Sequence, residues 1–237
     1  MSKALLARTF AVLAAAAVGI AATSKSDDLS LKRKPKVGDA AEYAVSAEFQ
    51  TDQGTIKFNE TLAEKVTAVN PDGTFVTSVN GKDVKIDIGG QAIDAPDTTV
   101  TEIQTPNGHV KTITSDNAVE AASYRITNLQ EFQAPDNAVK VGDEIKYDIP
   151  ADKTLGTPAV TADYKVVGTE KVKDWDTVKM TFTTAETEGD SKASMSGTLW
   201  LSTADGSLVK SDGKWTNVQP QGVPMPLTGK YTTERTK

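Results

Sequence analysis

Glu144-Ile145-Lys146-Tyr147-Asp148-Ile149, followed by Val160-Thr161-Ala162-Asp163-Tyr164-Lys165-Val166, is the stretch that decides the fold. Apolar and polar residues alternate one for one in both runs. Successive side chains of a strand point to opposite faces, so this pattern buries one face and wets the other. Downstream, Val178, Met180 and Phe182 alternate with Thr177, Lys179 and Thr181. Met195, Leu199 and Leu201 follow, then Leu208 to Val218 and a last strand near Tyr231.

The upstream half has the same texture. Tyr43, Val45, Ala47 and Phe49 share one parity, and Ile56, Phe58, Leu62 and Val66 share a face of the next run. Phe75, Thr77 and Val79 read as a third strand, and Val84, Ile86 and Ile88 as a fourth. Asn70-Pro71-Asp72-Gly73 predicts a tight turn, with φ preset at Pro and left free at Gly. Asn80-Gly81 predicts a two-residue hairpin. Lys173-Asp174-Trp175-Asp176 and Ala204-Asp205-Gly206 are expected as turns, which leaves Trp175 exposed.

One segment follows a different period. Val119, Ala122, Ile126 and Leu129 make a helical stripe. Asn117 can cap it with Glu120 as its partner, and Pro135 bounds it. The reading is therefore mainly β: antiparallel meander sheets, either a curved half-barrel or two packed sheets, with one helix near 117–131.

The N-terminus reads as a secretory signal peptide over residues 1–24. Lys3 and Arg8 form a basic start, Thr9 to Ala22 an apolar run, and small residues follow. The run is shorter than the roughly 20 residues needed to span a bilayer. Cleavage is expected between Ala21 and Lys25, giving a periplasmic or secreted chain without a transmembrane anchor. Residues 25–36 are rich in charge and are expected as a flexible leader. Two β-rich halves follow, 37–114 and 136–237, joined by a helical segment at 115–135. Lys36-Val37-Gly38-Asp39 recurs as Lys140-Val141-Gly142-Asp143, each copy leading to a Tyr, Tyr43 and Tyr147. The recurrence allows an internal duplication within one compact unit.

Composition bounds the chemistry. The 237 residues carry 26 Lys and Arg against 32 Asp and Glu, one His and no Cys. No thiolate site or disulfide can form, and no two-His metal site within one chain. A net charge of −6 argues against a nucleic-acid partner. His109 stands beside Asn107-Gly108 and is expected as an exposed turn residue without the oriented partner of a catalytic base. Asp87, Asp94, Asp97 and Glu102 cluster in sequence, but solvated strand and loop positions account for them. Ser207-Leu208-Val209-Lys210 and Ser115-Asp116-Asn117 evoke β-lactamase motifs in the wrong order. No catalytic residue, metal ligand or cofactor is assigned.

Trp200 is the one candidate binding residue. Its parity is opposite to that of Met195, Leu199 and Leu201, so it is expected on a second apolar face, against another layer or lining a groove.

The signal peptide, the meander with one central helix, and the late strand pair Leu199-Trp200-Leu201…Asp205-Gly206…Val209-Lys210 resemble periplasmic half-barrel proteins of the outer-membrane lipoprotein carrier type. The local likeness covers residues 195–218. The resemblance implies strands curled around helices, leaving a concave apolar surface for acyl chains. The chain equally fits an uncharacterised family of exported proteins. The leading expectation is an exported non-catalytic β protein that binds an apolar or lipidic ligand in a sheet concavity. The alternatives are a cell-surface structural or interaction module, and a hydrolase built on a carboxylate pair.

Overall fold

The computed structural model of the chain describes residues 28–51, 54–116, 118–220 and 225–237. The expected signal peptide and Asn117 lie outside the described residues. The first half contributes β1 (Ala40–Thr51), β2 (Gly54–Val69), β3 (Phe75–Ile88), β4 (Gln91–Asp94), β5 (Thr98–Gln104) and β6 (Val110–Ser115). After α1 (Ala121–Gln130) come β7 (Glu144–Ile149), β8 (Val160–Val172), β9 (Trp175–Glu186), β10 (Ser194–Ser202), β11 (Leu208–Val218) and β12 (Leu227–Arg235).

All twelve strands join one antiparallel sheet in the order β6-β5-β3-β2-β1-β12-β11-β10-β9-β8-β7, with β4 paired to β3 outside this path. The sheet does not close: β6 and β7 are its two ends. Register shifts at Asn59/Thr61, Val66/Ala68 and Val166/Gly168, among others, add residues to one strand of a pair. Such bulges bend and twist a strand locally, which curls the meander towards a half-barrel.

The helix lies on the concave side and packs towards β6, β8, β9 and β10. It starts at Ala121, with Glu120 at the N-cap position and no side-chain capping bond, so Val119 falls before it. Leu129 is fully buried. Tyr124 protects the exposed end of the sheet: its hydroxyl donates to the Ile113 carbonyl (3.1 Å) and accepts from the Ile113 amide (3.3 Å). An unpaired edge strand is a template for aggregation, and this side chain occupies one of its rungs. At the other end of the helix, the hydroxyls of Tyr147 (2.6 Å) and Tyr164 (3.0 Å) donate to the Glu131 carbonyl. Thr184 donates to the Leu129 carbonyl at 2.7 Å. The main core joins Leu129 to Ile145, Tyr164, Met180, Met195 and Leu201, so it lies chiefly between α1 and the second-half strands.

The two Lys-Val-Gly-Asp segments make the same bonds. Asp39 Oδ2 accepts from the Lys36 amide and Asp143 Oδ2 from the Lys140 amide, both at 2.8 Å. Gly38 and Gly142 have φ of 94° and 100°. Their amides donate to the Val66 and Val166 carbonyls at 2.9 and 2.8 Å.

Two expectations need correction. Asn80-Gly81 is not a hairpin: β3 runs through it, and Gly81 pairs with Leu62 on one side and Thr98 on the other. A Cβ at Gly81 would stand 2.9 Å from Thr98 Oγ1 and 3.0 Å from Glu60 Oε2. Glycine serves close approach here, a common use within strands. The reversal comes at Gly89-Gly90, both with positive φ.

Residues 28–36 are not a loose leader either. Leu29 bridges Val139 through two backbone bonds of 2.9 Å, and Leu31 is buried. The Arg33 amide donates to the Pro106 carbonyl (2.9 Å) and the Lys34 amide to the Asp205 carbonyl (3.0 Å). The segment therefore ties the β5–β6 turn to the β10–β11 turn across one end of the half-barrel. Its many charges obscured two leucines at alternate positions.

Candidate functional site

The helix fills only part of the concavity. Between it and the inner faces of the first-half strands and β10–β12 lies a cavity of about 930 Å³. Its walls follow from parity. The odd face of β1 contributes Tyr43, Val45, Ala47 and Phe49, and the even face of β2 contributes Ile56, Phe58, Glu60, Leu62 and Glu64. Leu199 and Leu201 face it from β10, and Trp215 from β11. The Trp215 ring packs against Phe49 (5.5 Å between centroids) and Tyr231 (5.7 Å).

The two ends of the cavity differ. At one end Leu31, Arg33 and Gly206 line it, where the 29–34 segment crosses. The other end carries Ile88 and Met225, which are 45% and 42% exposed. The result is an apolar rim above a polar floor.

The floor is acidic. Arg33 pairs with Glu64 at 2.9 Å, and its guanidinium lies 5.4 Å from the Phe75 ring centroid. Glu102 accepts a hydrogen bond from Gln104 Nε2 at 2.7 Å. Burial pushes the Glu102 carboxyl above its usual range; Gln104 opposes this, and the charges of Glu64 and Glu131 add to it. Burial also raises Glu60, which has no hydrogen bond or ion pair among the described residues. Burial raises the Tyr43 hydroxyl as well, with Glu64 adding and Arg33 opposing. The Tyr43 hydroxyl and Trp215 Nε1 are buried without a hydrogen-bond partner among the described residues. Buried polar atoms nearly always have one.

Trp200 is not part of this wall. Its indole lies on the opposite face of β10, with Lys179 Nζ at 5.3 Å and Lys210 Nζ at 5.1 Å from the ring centroid. Its Nε1 donates to Glu170. It is nonetheless 7% exposed, because the lysine stems cover the ring. The residues that meet the cavity are its neighbours Leu199 and Leu201, the face assigned from sequence to the core. Trp175 opens β9 beneath the Arg235 guanidinium, 5.1 Å away; the turn before it is Lys173-Asp174.

The acidic cluster of the sequence divides. Asp87 accepts from the Gly90 amide at 2.8 Å, Asp94 is exposed on β4, and Glu102 alone of the four lines the cavity. His109 has the partner that sequence did not indicate: its Nδ1 lies 2.9 Å from Glu131 Oε1. Glu60 and Glu64 were also missed. Their signal was available, since they share the parity of Ile56, Phe58 and Leu62 on a face that otherwise reads as core.

No family model matches the chain, and no curated protein does. Among solved structures, one described as a "putative lipoprotein" from Parabacteroides distasonis is similar to it. That likeness has 12% identity and a TM-score of 0.33, and it covers 88% of this chain and 98% of the other. Among the described residues no helix is long and apolar enough to cross a membrane.

Proposed function

We propose that this is an exported, non-catalytic β protein that holds an apolar or lipidic ligand inside its half-barrel. The observation that supports this most is the cavity of about 930 Å³ with Phe49, Ile56, Phe58, Ile86, Leu199 and Leu201 on its walls. Ligand sites fall in the range of roughly 300–1,000 Å³ and are mostly apolar with a few placed polar groups. The resemblance to lipoprotein carriers, whose strands curl around helices and leave a concave apolar surface for acyl chains, supports the same reading. Export rests on the N-terminal pattern of Lys3, Arg8 and the apolar run from Thr9 to Ala22.

Titration of the mature chain with N-phenyl-1-naphthylamine, which fluoresces in apolar surroundings, tests the reading. Saturable binding is expected. Ala47→Phe should block it, because Ala47 faces the cavity from β1, opposite Phe58 and Tyr231. Filling existing space should leave stability within about 1 kcal/mol, whereas overpacking a filled core costs about 1–3 kcal/mol. No saturable binding, together with a large stability loss in Ala47→Phe, would favour the structural-module reading.

A further inference from the structure

Building on that reading, we propose that the ligand is a cationic amphiphile, an alkyl chain bearing an amine, held with its ammonium group inside the cavity against Glu60 or Glu102 and its chain towards the Ile88 and Met225 rim.

The charge balance of the walls carries the inference. Glu60, Glu64 and Glu102 line the cavity with the single guanidinium of Arg33, and a fourth carboxylate, Glu131, is buried beside it with no side-chain exposure. Two of the four are occupied. Glu64 holds Arg33 at 2.9 Å. Glu131 has His109 Nδ1 at 2.9 Å and accepts from the Val110 amide at 2.9 Å. Among the described residues the other two meet no cation and Glu60 has no partner, while Glu102 accepts from the neutral amide of Gln104 (2.7 Å). A partly buried carboxylate without a partner is costly, and a bound cation removes that cost.

A second feature points the same way. Tyr43 is 4% exposed, lines the cavity on the strand beside Glu60 and Glu64, and keeps its hydroxyl without a partner among the described residues. An ammonium group has hydrogens to give and no lone pair to offer. Carboxylates and a free hydroxyl oxygen are acceptors that match it. A fatty acid fits less well. Its carboxylate would be a further negative charge in this cavity, and Arg33 is already committed to Glu64.

Displacement of N-phenyl-1-naphthylamine by decylamine, decanoate and decanol, at neutral pH and matched ionic strength, provides the test. Decylamine should displace the dye at about tenfold lower concentration than decanoate, in keeping with the strength of a charge-assisted hydrogen bond. Glu60→Gln or Glu102→Gln should reduce that preference several-fold, with far-UV circular dichroism reporting that each variant is folded. Glu48→Gln, on the exposed face of β1, alters net charge equally and should leave the preference intact. Dye binding without an amine preference overturns this proposal and leaves the apolar cavity standing. A preference untouched by both inward variants, or lost equally in Glu48→Gln, overturns it as well. Failure of the dye to bind removes the cavity reading and this one with it.

Discussion

His109 and Glu131 join the β5–β6 turn to the end of the helix: Nδ1 and Oε1 are 2.9 Å apart, on a glutamate whose side chain has no exposure. The same carboxylate accepts from the Val110 amide at 2.9 Å and from the Gln133 side chain. The hydrogen bond to Glu131 raises the His109 imidazole above its ordinary range, and burial opposes this only in part. A glutamate that holds a turn, a helix end and the following strand connection is a buried anchor of the whole concave side.

The pairing makes stability depend on pH. Because the folded pKa of His109 is raised, its contribution is fully present below the unfolded value of about 6.5 and is lost as pH rises through the folded value. His109→Gln should remove that component, so the difference in melting temperature between the two proteins should shrink from pH 5.5 to pH 8.5. The side chain is 41% exposed, and solvent screening keeps the effect to about 1 kcal/mol or less. A difference that grows with pH would contradict the assignment.

Arg125, midway along the helix, ties it to the end of β9. Its Nε and one terminal nitrogen donate to the two oxygens of Glu186, each at 2.7 Å. The Glu186 side chain is 1% exposed. Arg125→Ala strands a buried carboxylate and should cost about 2–4 kcal/mol in denaturant melting. The double variant Arg125→Ala/Glu186→Gln should recover part of that loss. Additive losses in the double-mutant cycle would show that the pair is not coupled.

The three tryptophans separate the two faces of the sheet. Trp215 lines the cavity, whereas Trp200 and Trp175 lie under Lys and Arg side chains elsewhere. A bromine-bearing alkyl chain bound in the cavity should quench the emission of Trp215 and spare the others. Trp215→Phe should abolish the quenching and Trp200→Phe should preserve it. Quenching that survives Trp215→Phe would place the chain outside the cavity.

Export has its own check. Mass spectrometry of the protein from its native host should give a mature N-terminus between Ala22 and Lys25. A secreted fraction that retains Met1 would refute the assignment.

The match between sequence and structure is uneven for identifiable reasons. Tyr43 to Phe49 and Ile145 to Ile149 reveal their inner faces because alternation is a local property of a strand. The Asn70-Pro71-Asp72-Gly73 turn is also local, and Gly73 takes a φ of 84°. Asn80-Gly81 misleads because the same glycine that suits a hairpin also suits a crowded rung, and Glu60 and Thr98, which crowd it, come from other strands. The 28–36 segment misleads because composition averages over charges while burial there depends on Leu29 and Leu31 alone.

Sequence by itself determined that the chain forms antiparallel strands around one helix, and which parity of most strands turns inward. Period two and period 3.6 are written into the order of residues and need no knowledge of neighbours. Tertiary structure alone decided which inward faces meet the helix and which meet a cavity. Leu199 and Leu201 carry the same inward parity as Met195, yet they border the cavity while Met195 is fully buried. That difference depends on how far a ten-residue helix reaches across a curved twelve-stranded sheet. Only the folded chain also brings Arg33 to Glu64 and leaves Glu60 without a partner among the described residues. Pairing is a matter of distance in space, and separation along the sequence does not reveal it.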